Sequence, residues 1–229
     1  YQVGALTTWS KVARSGASTY AIKTDGTLWA WGEDNFGQLG QGVTINTSSP
    51  VQIGALTTWS QVSAGNSYAN FLKTDGTLWA VGYNNYGQLG VGDKLNYSSP
   101  VQIGALTNWS TVSNNRWNTG ASKNDGTIWV WGRDQAGQLG QNNRVYKSSP
   151  VQVGALTTWE FIEAGEDLYI AIKEGTLWTW GDGVFGKTGH NDVLDRSSPV
   201  QVGALSNWTK ASAGYSSDFA LAIYAPLST

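Results

Sequence analysis

Tryptophan returns at positions 9, 59, 109, 159 and 208, at intervals of 50, 50, 50 and 49 residues, and the same order of segments returns with it. A fixed period of this length means that one supersecondary unit is repeated, each copy burying its apolar face against the next. Around Trp59 the unit reads Gly54-Ala55-Leu56-Thr57-Thr58-Trp59, then Val62-Ser63-Ala64-Gly65, then a short apolar run ending at Lys73. Gly76-Thr77-Leu78-Trp79 follows, then the loop Gly87-Gln88-Leu89-Gly90 and the closing Ser98-Ser99-Pro100-Val101-Gln102. Units run over 2–50, 52–100, 102–150 and 152–199, with a partial unit over 201–224, and the whole of 1–229 reads as a single repeat domain.

The pattern predicts four strands per unit, which in the second are centred on Val62–Ala64, Ala69–Lys73, Thr77–Val81 and Val101–Ile103. Asp25-Gly26, Asp75-Gly76 and Asp125-Gly126 lie between the second and third strands, the dipeptide of a two-residue hairpin with both residues at positive φ. The fourth unit is one residue shorter there and carries Glu174-Gly175. Thirteen Trp, ten Tyr and 29 Gly beside only 13% charged residues suit short strands and tight turns rather than amphipathic helices. The expected fold is all-β: a β-propeller of four-stranded antiparallel blades of about 50 residues, four full blades plus a partial fifth. Strand 1–6 is expected to complete that fifth blade, the alternative being that further blades precede it. Trp29, Trp79, Trp129 and Trp178, with Trp31, Trp131 and Trp180 two residues on, are expected to pack between blades.

The run Gly-Thr-Leu-Trp-Ala-Trp-Gly-(x)4-Gly-Gln-Leu-Gly at 26–40, with near copies at 76–90 and 126–140, resembles the signature of the regulator of chromosome condensation repeats. The fourth copy departs from it at Phe185-Gly186-Lys187-Thr188-Gly189. The resemblance implies a propeller, which in known members usually closes with seven blades. It carries little about function, because the family's propellers include a nucleotide exchange factor, a plant photoreceptor, secreted β-lactamase inhibitors and phage proteins.

Composition narrows the function classes. A net charge of −2 and a pI near 5.3 leave no basic footprint for nucleic acid. No apolar stretch reaches the ~20 residues of a membrane-spanning helix, so no membrane insertion is expected. Without cysteine there is neither a disulfide framework nor a thiolate, and His190, the one histidine, lacks the partners of a catalytic base. No enzyme activity, metal or cofactor is expected.

An up-down-up-down blade sends the first and third connections to one face and the Asp-Gly turns and Gly-Ala-Leu links to the other. The links are nearly constant, whereas the first loops (15–18, 65–68, 115–118, 165–168 and 214–217), the second loops (33–36, 83–86, 133–136 and 182–185) and the segments after Gly-Gln-Leu-Gly all vary. Variable loops rich in Tyr, Trp, Asn and Ser on a rigid scaffold are what recognition surfaces use. The candidate binding residues are Tyr68, Tyr83, Tyr86, Arg116, Trp117, Asn118, Arg133, Asp167 and Tyr215. Trp117, the one tryptophan outside the repeat pattern, is read either as a hot spot with Arg116 or as a ring folded over the space left by Ser122. The third unit carries five basic against two acidic residues and the fourth three against eight, net charges of +3 and −5. Such neighbours could orient a partner or pair blade to blade.

The expected function is a non-enzymatic recognition or structural module, displayed outside a cell or on a virion, that takes a protein or glycan on its loop face and forms a homo-oligomer or larger assembly. The alternatives are a regulator resembling a small-GTPase exchange factor and an inhibitor of a secreted enzyme.

Overall fold

The computed structural model describes residues 8–214 and 220–225, so the expected strand at 1–6 lies outside the described residues. The first blade is β1 (Trp9–Ser15), β2 (Ser18–Lys23), β3 (Leu28–Gly32) and β4 (Thr47–Gln52). The second is β5 (Trp59–Ala64), β6 (Tyr68–Lys73), β7 (Leu78–Gly82) and β8 (Tyr97–Gln102), and the third β9 (Trp109–Asn114), β10 (Asn118–Lys123), β11 (Ile128–Gly132) and β12 (Lys147–Gln152). The fourth is β13 (Trp159–Gly165), β14 (Leu168–Lys173), β15 (Thr176–Gly181) and β16 (Arg196–Gln201), followed by the pair β17 (Trp208–Ala213) and β18 (Ala220–Tyr224). Each full blade is an antiparallel meander whose spatial order equals its chain order. The four full blades and partial fifth expected from the period are therefore present. The first and fourth strands begin earlier than expected, at the link tryptophan and at Tyr97 in the second blade.

The inner strands β1, β5, β9, β13 and β17 pack side by side, and an apolar core fills each blade boundary. The tryptophans of the third strands divide between two tasks. Trp131 and Trp180 are fully buried, and their indole N–H groups donate to the carbonyls of Gln88 and Gln138 in the preceding blade, at 2.8 and 2.9 Å. Burying a ring of this size stabilises by roughly 1.5–3 kcal/mol, and the pairing of its N–H makes the burial inexpensive. Trp129 and Trp178 are instead half-buried and stack edge-on against the link tryptophans Trp109 and Trp159 of their own blades.

The Asp-Gly turns differ from expectation. Gly26, Gly76 and Gly126 have positive φ, but the aspartates before them do not. Lys23 N–H bonds to Thr27 O and Gly26 N–H to Lys23 O, so the connection is a three-residue loop with a glycine bulge. Each aspartate accepts from the threonine two residues on, Thr27 donating N–H and hydroxyl to Asp25 at 3.0 and 2.7 Å. The threonine in turn accepts the indole N–H of Trp29 at 2.8 Å. Among the described connections between second and third strands, the two-residue turn occurs in the fourth blade alone, where Glu174 and Gly175 have φ of 47° and 71° and Lys173 pairs directly with Thr176. Removing one residue leaves too little chain for the bulge, and the hairpin tightens. Gly26 also allows the chain to cross there: a Cβ on it would lie 2.1 Å from the carbonyl oxygen of Thr57 in the following link. The link stays there because Trp59 N–H donates to Gly26 O at 3.1 Å.

Candidate binding face

On the opposite face the first and third connections come together, as the meander requires. Five rings from three blades form one continuous cluster there. Phe36 meets Tyr83 at a centroid distance of 4.8 Å, Tyr83 meets Trp117 at 6.0 Å, Trp117 meets Tyr86 at 5.2 Å, and Tyr86 meets Tyr146 at 5.8 Å. Three of these contacts are edge-to-face and that of Tyr83 with Trp117 is tilted, and aromatic pairs of this kind contribute about 0.5–1.5 kcal/mol each beyond the area they bury. The rings are thereby held by one another while each keeps some surface open to solvent. Trp117 is therefore not folded over Ser122, whose hydroxyl shares a hydrogen bond with Thr111 inside the sheet.

The space in that blade has another owner. A Cβ on Gly120 would lie 2.6 Å from Cε1 of Tyr169, so glycine at 120 lets the fourth blade's tyrosine enter. The Tyr169 hydroxyl donates to Asn118 Oδ1 at 2.6 Å, and burial pushes its pKa well above the ordinary tyrosine value.

Cations border the rings. The Arg116 guanidinium lies 5.2 Å from the Trp117 centroid, Arg133 6.0 Å from that of Tyr86, and Lys94 5.9 Å from that of Tyr146. The opposite charges of the third and fourth blades pair with each other across the blade boundary. Arg116 pairs with Glu166 at 3.3 Å, Arg133 with Asp167 at 3.6 Å, and Arg144 with Asp195 at 3.1 Å. Burial raises the Asp167 carboxyl above the usual range against the pull of Arg133, and Asp167 also accepts from Gln138 at 2.9 Å. The charge asymmetry thus ties blade three to blade four.

Of the nine candidates, Tyr83, Tyr86, Arg116, Trp117 and Arg133 converge on this cluster, with Asp167 attached through Arg133. Two others, expected as contact residues, do not reach solvent. Tyr68 and Asn118 are fully buried. The Tyr68 hydroxyl donates toward the carbonyls of Asn115 and Asn118, and Asn118 accepts from Asn115 and Tyr169. Both stand at the first residue of a second strand, where the neighbouring blade covers them, so they set the loops rather than meet a ligand. Tyr215 lies outside the described residues. Phe36, Tyr146 and Lys94 complete the patch although none was singled out. Each lies in a segment that varies between units, and that variability was the available signal.

A pocket of about 190 Å³ opens among Phe36, Asn66, Ser67, Tyr83 and Trp117. His190 lies elsewhere, against the Thr179 hydroxyl at 2.9 Å, with its imidazole held below the usual histidine range by burial and by Arg196. Among the described residues no three His, Cys, Asp or Glu side chains gather as a metal site, and no helix is long and apolar enough to cross a membrane.

Comparison with known proteins agrees with the architecture. The model of the regulator of chromosome condensation (RCC1) repeat matches residues 25–72, 75–114, 125–172 and 174–221, and a second model of the same repeat matches 59–88. Human WBSCR16 superposes with a TM-score of 0.83 at 20% identity, covering 98% of this chain and 60% of the other. Prp20p of Saccharomyces cerevisiae, studied with its binding to Gsp1p and histones, superposes at 0.79 with 19% identity, covering 90% and 54%. Yeast RCC1 (Prp20) bound to Kap60 gives 0.82 and 19%, covering 93% and 54%. The chain thus spans 54 to 60% of the length of these proteins, and at such identities they speak to the fold. A search of curated protein sequences finds no match.

Proposed function

We infer that this chain, which belongs to the regulator of chromosome condensation (RCC1) repeat family, is a non-enzymatic binding module that engages a macromolecular partner through the aromatic patch of Phe36, Tyr83, Tyr86, Trp117 and Tyr146. The observation that carries the reading is the convergence of rings from three successive blades on the variable face. Fold stability asks for no such cluster there, because the blade boundaries already hold their own apolar cores. Tyr and Trp supply large contact area at small entropic cost, and the adjoining Arg116 and Arg133 are of the type that dominates interface energetics. The binding of Gsp1p and histones by the related Prp20p supports a partner-binding role for such a scaffold.

The test compares the chain with a Tyr86→Ala/Trp117→Ala variant, and with Thr107→Ala on the link face, across protein and glycan arrays. The reading expects ligands that the parent and the link-face variant retain and the patch variant loses. Equal retention by all three would overturn it.

A further inference from the structure

We propose that the pocket among Phe36, Asn66, Ser67, Tyr83 and Trp117 is a subsite for one uncharged pyranose residue of a glycan, a specification that rests on the binding role assigned to the same face. Three features of the pocket select that chemistry.

Three of its five lining residues are aromatic. Phe36 and Trp117 each contact the Tyr83 ring. A pyranose presents C–H groups on the faces of its ring and hydroxyls around its edge. Aromatic walls suit the faces and leave the edge to polar groups.

Polar groups are present and uncommitted. Among the described residues the Asn66 amide, the Ser67 hydroxyl and the Tyr83 hydroxyl have no hydrogen-bond partner, whereas the backbone N–H of Asn66 and of Ser67 are both used, by Arg116 O and by Ser15 Oγ. A primary amide offers two donors and an acceptor in one plane, and a hydroxyl both donates and accepts, which matches adjacent sugar hydroxyls. Ser67 is held with φ at +60°, a conformation uncommon for a residue other than glycine, and its backbone carbonyl accepts from Tyr83 N–H at 2.9 Å. Asn66, Ser67 and Tyr83 are thereby tied to one another through the backbone before any ligand arrives.

The charges are spent elsewhere. Arg116, the nearest cation to Trp117, is committed to Glu166, and no acidic or basic side chain lines the pocket itself. An anionic sugar or a phosphate would find no counter-charge in the pocket lining, while a neutral one meets no uncompensated desolvation. At about 190 Å³ the pocket lies below the roughly 300 Å³ at which whole small-molecule sites begin, which fits one ring of a longer chain. The remaining sugars would follow the rings from Trp117 through Tyr86 to Tyr146.

The experiment is calorimetric titration of the chain with the methyl glycosides of glucose, galactose, mannose and N-acetylglucosamine, and with glucuronic acid as the charged comparison. At least one neutral glycoside is expected to bind in the millimolar range, with glucuronic acid no tighter. Asn66→Ala and Trp117→Ala are each expected to weaken binding by about tenfold or more, and Thr107→Ala to leave it unchanged. Asn66→Asp, close in shape but without the amide donors, is expected to behave as Asn66→Ala, with thermal melts of all variants recorded alongside. No heat from any neutral glycoside, or binding indifferent to both Asn66 and Trp117, would overturn the assignment. A protein ligand lost on the Tyr86→Ala/Trp117→Ala change, in a chain that binds no glycoside, would sink the sugar subsite while leaving the binding role intact.

Discussion

The contact between Gly120 and Tyr169 permits a quantitative test of how the third and fourth blades are locked together. Replacing Gly120 by alanine puts a methyl group 2.6 Å from Tyr169 Cε1 and 3.2 Å from Ile162 Cδ1, well inside the ~3.5 Å at which carbon atoms begin to attract. Both neighbours are buried, and the Tyr169 ring is stacked on Trp180 at 5.6 Å and hydrogen-bonded to Asn118, so it has little room to yield. Overpacking of this kind costs about 1–3 kcal/mol. The exchange also returns about 0.5–1 kcal/mol by relieving the conformational cost of glycine inside a strand, since Gly120 does not occupy a positive-φ position. The net expectation is a loss of about 1–2 kcal/mol. In a Tyr169→Ala background the 2.6 Å clash is gone and only the 3.2 Å approach to Ile162 Cδ1 remains, so Gly120→Ala should become nearly neutral, which places the coupling between the two sites at about 1–2 kcal/mol. Equilibrium urea unfolding followed by both far-ultraviolet circular dichroism and tryptophan fluorescence measures this cycle, with coincident transitions establishing that one cooperative step is being read. A Gly120→Ala protein as stable as the parent, or the same loss in both backgrounds, would refute the account of Tyr169 as the occupant of the glycine's space.

Asp134 is fully buried, with Oδ1 accepting from Leu139 N–H and Oδ2 unpartnered, whereas its counterpart Asn84 donates its amide to Asp93. Burial raises the Asp134 carboxyl above its usual range, so its ionisation destabilises the fold as pH rises from the unfolded value near 3.8 through the folded one. Asp134→Asn is therefore expected to stabilise by about 1–2 kcal/mol at neutral pH, with the gain shrinking toward pH 4, as denaturant midpoints across pH would show. Asp192 behaves oppositely: hydrogen bonds from Arg196, with a further one from Leu194 N–H, hold its carboxyl at about 2, so its contribution is present above pH ~3.8 and lost as pH falls through about 2, a dependence that Arg196→Ala should reduce, leaving the part due to Leu194. Glu174→Asn, at a φ of 47°, should stabilise by about 0.5 kcal/mol in thermal melts, because asparagine tolerates the left-handed region better. Arg144→Ala should cost at most about 1 kcal/mol and lose even that at high salt, since its pair with Asp195 is largely exposed.

The repeat made the architecture legible because every pairing inside a blade is local: strands follow one another in space as they do in the chain, so period and turn residues together define the sheet. The same locality places the first and third connections on one face, and their divergence between units marks where to look for contacts. Three of the nine candidate residues, Tyr83, Tyr86 and Trp117, lie in the ring cluster for that reason, and Arg116 and Arg133 border it.

What the sequence by itself determined is therefore the propeller, its blades and its variable face. Which variable residues reach solvent was decided only by the tertiary structure, because exposure at a loop depends on a blade some 50 residues away. Tyr68 and Tyr83 are both tyrosines at strand ends, yet Tyr68 is sealed by the Asn115 and Asn118 carbonyls of the next blade, while Tyr83 stands among rings in the open. The charge contrast between units three and four was visible in composition, but only the approach of Arg116, Arg133 and Arg144 to their carboxylates turned it into a tie between blades. A repeat specifies what neighbours every position must share. The side chains that differ acquire their roles from whichever neighbour happens to face them.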